Sequence, residues 1–151
     1  MDAVYTLPGG TPVWSRDATL NDSDKSFTVP PGKVWEPVYI AATLQCTATV
    51  GNRGLVVRIY DSGGNLVGTT SSVASTAASQ NAAIDVGFGN GISGTGAKAN
   101  VLQISINNGL QTVLPKIYMT AGMYFRVCDP NAVDAAADDL TVELHYLESS
   151  R

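Results

Sequence analysis

The chain carries little charge. Asp, Glu, Lys and Arg make up 15% of its 151 residues, compared with about a quarter in an average globular domain. The nine basic residues are scattered and the net charge is −4, whereas a nucleic-acid-binding protein carries a basic stripe. No apolar run approaches the roughly 18 residues that a membrane-spanning helix requires. We therefore expect no nucleic-acid partner and no membrane.

Residues that carry out catalysis are also scarce. The chain has one histidine, His145, and two cysteines, Cys46 and Cys128. A cysteine nucleophile needs an adjacent base, and a zinc site needs four ligands at close spacing. Residues 89–94 match the GxGxxG pattern, but a predicted strand follows, whereas a pyrophosphate site requires a helix. We expect a protein that is not an enzyme and has no cofactor.

One loop concentrates acidic residues, namely Asp129, Asp134, Asp138 and Asp139. Carboxylate oxygens are the ligands that calcium prefers, but the spacing fits no EF-hand loop. Asp-rich connections between strands are usually solvated turns, which is the interpretation we favour. Calcium binding stays an open alternative.

Apolar and polar residues alternate through most of the chain from residue 27 onward. In residues 34–50 the even positions are mostly apolar and the odd ones aromatic or polar, which predicts one face in a core and one facing outward. This segment is longer than the usual strand of about 5–6 residues, and Pro37 cannot donate to a ladder, so we expect a bulge or break near its start. The pattern predicts an all-β, antiparallel, jelly-roll-like β-sandwich of about 8–10 strands.

Residues 1–23 show little periodicity and contain Pro8, Gly9, Gly10 and Pro12. They are predicted to form an irregular N-terminal arm with at most one short strand, around Val4 or Val13. Residues 24–151 are predicted to form a single β-sandwich domain.

The alternation of residues 34–50 also predicts an interface. Interface cores are depleted in charge and enriched in aromatic residues, and the outward face of residues 34–50 fits that description. The arm packs either on its own domain or on a neighbour, and the sequence leaves both open. The predicted interface comprises Val4, Tyr5, Val13, Trp14, Trp35, Tyr39, Thr43 and Thr47. In an alternative interpretation, Trp14, Trp35 and Tyr39 form a stacking platform for a sugar.

Three segments, FTVPPGKVW, TATVGNRGLVVRIYDSGGNLV and LPKIYMTAGMYFRVCDPNAVDAAADDLTVELHYLE, carry a family resemblance. With them the chain resembles small β-sandwich proteins of tailed bacteriophages, which are head decoration (cement) proteins or related virion structural subunits.

The resemblance implies a non-enzymatic protein that binds the outer surface of a phage capsid and stabilises it. Its partner would be the major capsid protein, it would form a homo-dimer or homo-trimer, and it would lie on the virion exterior after assembly in the host cytoplasm. Residues 1–23 would then clamp the capsid or a neighbouring subunit. The alternative is a receptor- or glycan-binding module of a phage tail or host-recognition apparatus.

Overall fold

The computed structural model of the protein describes residues 10–20, 24–71, 76–88, 102–104, 111–112, 116–131, 133 and 137–151. These residues contain strands and no helix, and so none that could cross a membrane. The strands, in chain order, are β1 (Thr11–Asp17), β2 (Lys25–Thr28), β3 (Lys33–Gln45), β4 (Val56–Tyr60), β5 (Leu66–Ser71), β6 (Asn81–Gly87), β7 (Leu102–Ile104), β8 (Gln111–Thr112), β9 (Met119–Thr120), β10 (Tyr124–Cys128) and β11 (Asp139–Ser150).

The strands form two antiparallel sheets that pack together. The larger sheet has the order β1-β11-β3-β6-β7-β8, and β9 pairs with the start of β3. The smaller sheet has the order β2-β10-β4-β5. The prediction of an all-β sandwich is confirmed, and its jelly-roll arrangement stays a prediction. The strand number exceeds the expected one because β8 and β9, of two residues each, are included.

The core lies between the two sheets and follows the period of the strands. In β11 the predicted alternation is confirmed, because every second residue from Leu140 to Tyr146 is buried. The smaller sheet contributes the facing side chains of β4 and β10. Each large apolar side chain removed from water stabilises the fold by about 1.5–3 kcal/mol. The cluster includes Ile40, Leu44, Val57, Ile59, Phe125, Val127, Leu140, Val142 and Leu144.

A bulge divides β3 into two halves of opposite parity. Tyr39 lies opposite His145 and Pro37 lies opposite Tyr146, so Val38 is an extra residue in the ladder. One extra residue exchanges the two faces of a strand. The expected irregularity near Pro37 is therefore confirmed.

The bulge overturns two predictions of side-chain direction. Before it, Trp35 points into the core and is 4% exposed, although the parity of residues 34–50 placed it outward. Val38 was expected in the core and is exposed. After the bulge, Ile40, Ala42 and Leu44 are buried, as expected from their even positions.

Part of the predicted arm belongs to the larger sheet. β1 pairs with β11 from Thr11, opposite Glu148, to Asp17, opposite Val142. The expected strand around Val13 is confirmed. β1 forms one edge of the larger sheet. Its outward side chains are therefore open to solvent both above the sheet and along the edge.

A buried ion pair joins the loop after β3 to the start of β11. Arg53 and Asp138 are both fully buried, with Arg53 Nε 2.6 Å from Asp138 Oδ2 and Nη2 3.2 Å from Oδ1. Asp138 Oδ1 also accepts the N–H of Thr47, and Arg53 Nη1 donates to the carbonyls of Thr49 and Gly51. Because a buried charge is costly unless it is paired and hydrogen-bonded, this network holds the loop in one conformation.

We expect the Asp138→Asn variant to lose about 3–5 kcal/mol of unfolding free energy at pH 7, because the Arg53 guanidinium would stay buried without a counter-charge. Urea denaturation monitored by circular dichroism measures the loss. The double variant Arg53→Met/Asp138→Leu is the matched control, since it buries no charge. We expect it to be less destabilised than the sum of its two single variants, and strict additivity would contradict a direct coupling.

The same pair gives a pH dependence with a defined sign. Burial opposes ionisation of Asp138, but hydrogen bonds from Arg53 and Thr47 outweigh it and hold the pKa below the ordinary value of 3.8. A carboxyl group with a lowered folded pKa contributes stability above its unfolded pKa of about 3.9, and this contribution is lost as the pH falls through the folded value. The stability difference between wild type and Asp138→Asn should therefore shrink below about pH 4. A difference that stays constant down to pH 2 would contradict this assignment.

Candidate binding face of the larger sheet

The candidate surface is the side of the larger sheet that faces away from the core. We call it the outer face and define it by residues of the three adjacent strands β1, β11 and β3. The period of two aligns these residues in rows across the strands. They are Trp14, Arg16, Tyr39, Ala41, Thr43, Thr141, Glu143 and His145.

Three aromatic side chains form one row across this face, which we call the aromatic row. Trp14 lies opposite His145, and His145 lies opposite Tyr39. The rings of Trp14 and His145 stack with centroids 3.9 Å apart and planes 26° apart, while Tyr39 meets His145 edge-on at 5.5 Å. Such pairs contribute about 0.5–1.5 kcal/mol beyond their buried area. Trp14 is nevertheless 69% exposed, so most of its indole remains available to a ligand.

The imidazole at the centre of the row is held in place by a carboxylate. His145 Nε2 lies 2.6 Å from Oε1 of Glu143. The two residues are two positions apart on β11 and therefore on the same face. The imidazole orientation is fixed by this hydrogen bond, and the orientation of Trp14 is fixed in turn by the stacking.

A small pocket lies next to the aromatic row. Its volume is about 140 Å³, and it is lined by Arg16, Ala41, Thr43, Thr141, Val142 and Glu143. The methyl group of Ala41 leaves space between the longer side chains of its neighbours. A pocket for a drug-sized molecule has about 300–1,000 Å³, so this one has room for a single ring or a small polar group.

The pocket combines opposite charges that are not paired with each other. Arg16 lies directly opposite Glu143 in the ladder, but Glu143 is bonded to His145. The side chain of Arg16 is exposed, and the ion pairs found among the described residues do not include it. A guanidinium donor and a carboxylate acceptor therefore both face the same small space.

Three of the predicted interface residues lie together on the outer face, namely Trp14, Tyr39 and Thr43. Val13 packs against the core instead, because it alternates with Trp14 on β1. Val4 and Tyr5 lie outside the described residues.

Trp35 and Thr47 have structural positions. The Trp35 indole N–H donates to Glu148 Oε2 at 3.0 Å and the ring packs against Tyr146 at 4.0 Å. Hydrogen bonds from Trp35 and then from Lys33 lower the pKa of Glu148. Thr47 follows the end of β3 and bonds the Arg53–Asp138 pair. Placing Trp35 on an outward face was wrong, because the bulge reverses the parity there. Thr47 is half-buried and lies after the end of β3, where the parity of that strand no longer applies.

The Asp-rich loop also has a structural use. Asp138 is occupied by Arg53, and Asp129 Oδ1 accepts the N–H groups of Gly54 and Asn131. Across the residues that the structure describes, no group of three potential metal ligands occurs. Asp134 lies outside those residues.

A second exposed surface lies on the smaller sheet and escaped sequence reasoning. Tyr60 and Tyr124 stack with centroids 4.8 Å apart and planes 12° apart. Beside them on β5 are Leu66, opposite Tyr60, and Val67, which are 53% and 61% exposed. We call these four residues the apolar patch. In the sequence, Leu66 and Val67 are consecutive apolar residues directly after a turn. They indicated an exposed apolar surface, since a strand directs neighbouring side chains to opposite faces and cannot bury both.

Comparison with known proteins finds no protein-family model and no curated protein that matches the chain.

The two tryptophans should respond differently to truncation. We expect Trp35→Ala to lose about 3–5 kcal/mol of unfolding free energy, because it leaves a cavity in the core. Trp14→Ala should lose about 1 kcal/mol or less, corresponding to its stacking on His145. Parallel urea denaturation of the two variants makes the comparison. Similar losses would show that Trp14 is not an exposed, binding-ready side chain.

Proposed function

We propose that the protein is a non-enzymatic virion structural subunit that binds the outer surface of a phage capsid and stabilises it. Its partners are the major capsid protein and further copies of itself in a dimer or trimer. The three segments of the resemblance support this proposal because they supply strands of both sheets. They contribute the end of β2 and the start of β3, then β4 with the turn into β5, and finally β9, β10 and most of β11.

The observation that carries the proposal is the apolar patch. Leu66 lies opposite Tyr60, and Val67 is the extra residue of a bulge in β5, so two aliphatic side chains more than half exposed lie beside the stacked tyrosine pair. Exposed apolar side chains grouped in this way mark protein contacts. Arg58 lies one row away on β4 and is itself half-buried. Tyrosine and arginine are enriched in interfaces, so both the patch and its border fit a protein partner.

Burial of apolar surface area would account for the stabilisation of the shell. Apolar surface removed from water contributes roughly 25 cal/mol per Å². A subunit that bridges neighbouring capsid proteins adds this free energy to the shell without any chemical step. The low charge of the chain is compatible with such a contact, because charge is depleted in interface cores.

The two sheets direct their outer sides in opposite directions, so only one of them contacts a flat shell at a time. The apolar patch is the candidate for the shell contact, and the outer face, where the interface was predicted from the sequence, is the other. Substitutions on the two sheets distinguish these possibilities.

We expect the double variant Leu66→Asp/Val67→Asp to bind heads of the encoding phage at least tenfold more weakly than wild type, because it places two carboxylates in an apolar contact. Co-sedimentation of purified protein with heads gives the affinity and copy number. The matched control is Trp14→Ala/Tyr39→Ala on the outer face, which should bind normally. Circular dichroism confirms that both variants fold.

The opposite pattern, with loss only in the Trp14→Ala/Tyr39→Ala variant, would move the shell contact to the outer face. Failure of the wild-type protein to co-sediment at any regular copy number would overturn the proposed function.

A further inference from the structure

The pocket and the aromatic row are close enough to contact one extended ligand. Arg16 follows Trp14 by two residues on β1, and Glu143 precedes His145 by two residues on β11. Two residues correspond to about 7 Å along a strand. The row borders the pocket on one side, while Thr43 and Thr141 line it farther along the sheet. A ligand with a flat ring and a polar extension therefore meets both parts at once.

The exposed indole provides a stacking surface. One part of Trp14 rests on His145, and β1 is an edge strand, so no further strand covers Trp14 from its outer side among the described elements. The face of an aromatic ring carries negative potential, which attracts the weakly positive C–H groups on the flat side of a pyranose. The stacking on His145 holds the indole in position before a ligand arrives, and such preorganisation reduces the entropy lost on binding.

The polar groups of the pocket match hydroxyl groups. Arg16 supplies donors only, the carboxylate of Glu143 supplies acceptors only, and the two threonine hydroxyls supply both. A sugar hydroxyl both donates and accepts, so adjacent hydroxyls of one ring can use a guanidinium and a carboxylate side by side. The charges of Arg16 and Glu143 offset each other, which favours a neutral ligand over a carboxylated or sulfated one.

Two other ligand classes fit the same residues poorly. Single-stranded nucleic acid stacks its bases on aromatic rings but requires a basic groove along its backbone, and this face has one arginine opposite a glutamate. An apolar peptide requires an apolar groove, whereas the pocket is lined mainly by charged and hydroxyl side chains.

We infer that the outer face binds a neutral oligosaccharide. One pyranose ring stacks on Trp14, and the hydroxyls of the neighbouring sugar enter the pocket between Arg16, Glu143 and the threonines. This site does not depend on the proposed function, because it lies on the sheet opposite the apolar patch. A subunit attached to a shell through that patch would present the sugar site to the surroundings.

The test uses the full-length protein on an array of neutral and acidic glycans, followed by saturation-transfer NMR and calorimetry with neutral disaccharides such as maltose, cellobiose and lactose. We expect at least one neutral glycan to bind. Trp14→Ala and Arg16→Gln should each weaken that binding at least tenfold, and Trp14→Phe should retain part of it. Arg58→Gln makes the same substitution on the opposite sheet and should leave binding unchanged.

Three results would overturn the inference. They are no binding of any neutral saccharide at up to about 10 mM, binding of acidic glycans only, or neutral glycan binding that survives Trp14→Ala. Urea denaturation shows that each variant is folded. Since the assay contains no capsid, its failure leaves the shell contact untouched, and a failure to bind heads leaves the saccharide site untouched.

Discussion

The antiparallel ladder between β3 and β11, with its bulge at Val38, is the constraint on which the rest of the structure depends. The two strands are the longest described and lie next to each other in the larger sheet. Their inner sides supply most of that sheet's core residues, and their outer sides carry most of the outer face. Because side chains alternate strictly along a strand, the position of one extra residue decides which of them are buried.

The burial of Trp35 and the hydrogen bond that its indole N–H requires explain the bulge. An indole is large and apolar, but its N–H requires a partner when it is buried. Because Trp35 points inward, its ring packs against Tyr146 and its N–H donates to Glu148. Glu148 also forms an ion pair with Lys33. Without the extra residue, either Trp35 or Ile40 and Leu44 would face solvent. The bulge buries all of them at the cost of exposing Val38, a smaller side chain than Trp35.

Sequence patterns predicted the elements better than the contacts between them. The alternation of β11 was correct from Leu140 to Tyr146 because no bulge residue lies in it. The alternation predicted for residues 34–50 was correct from Ile40 to Leu44 and failed at Trp35, Val38 and Val50. Pro37 indicated an irregularity but not which residue would be extra. The outer face was only partly predictable, because Trp14, Tyr39 and His145 come from three strands whose register no local pattern encodes. The Arg53–Asp138 pair was missed for the same reason, since 85 positions separate its members.

The two outer surfaces differ in what they can bind, and this difference follows from position in the sheets. The outer face spans three adjacent strands, so its polar groups line a pocket beside the aromatic row, and the charges of Arg16 and Glu143 offset each other. The apolar patch includes the start of the edge strand β5, where Leu66 and Val67 meet solvent because no further described strand pairs there. A flat apolar surface gains most from a large partner that covers it completely, since the gain scales with area. A preorganised polar pocket gains from a few directional bonds to a small ligand. The fold thus provides one surface suited to assembly and another, on the opposite side, suited to recognition.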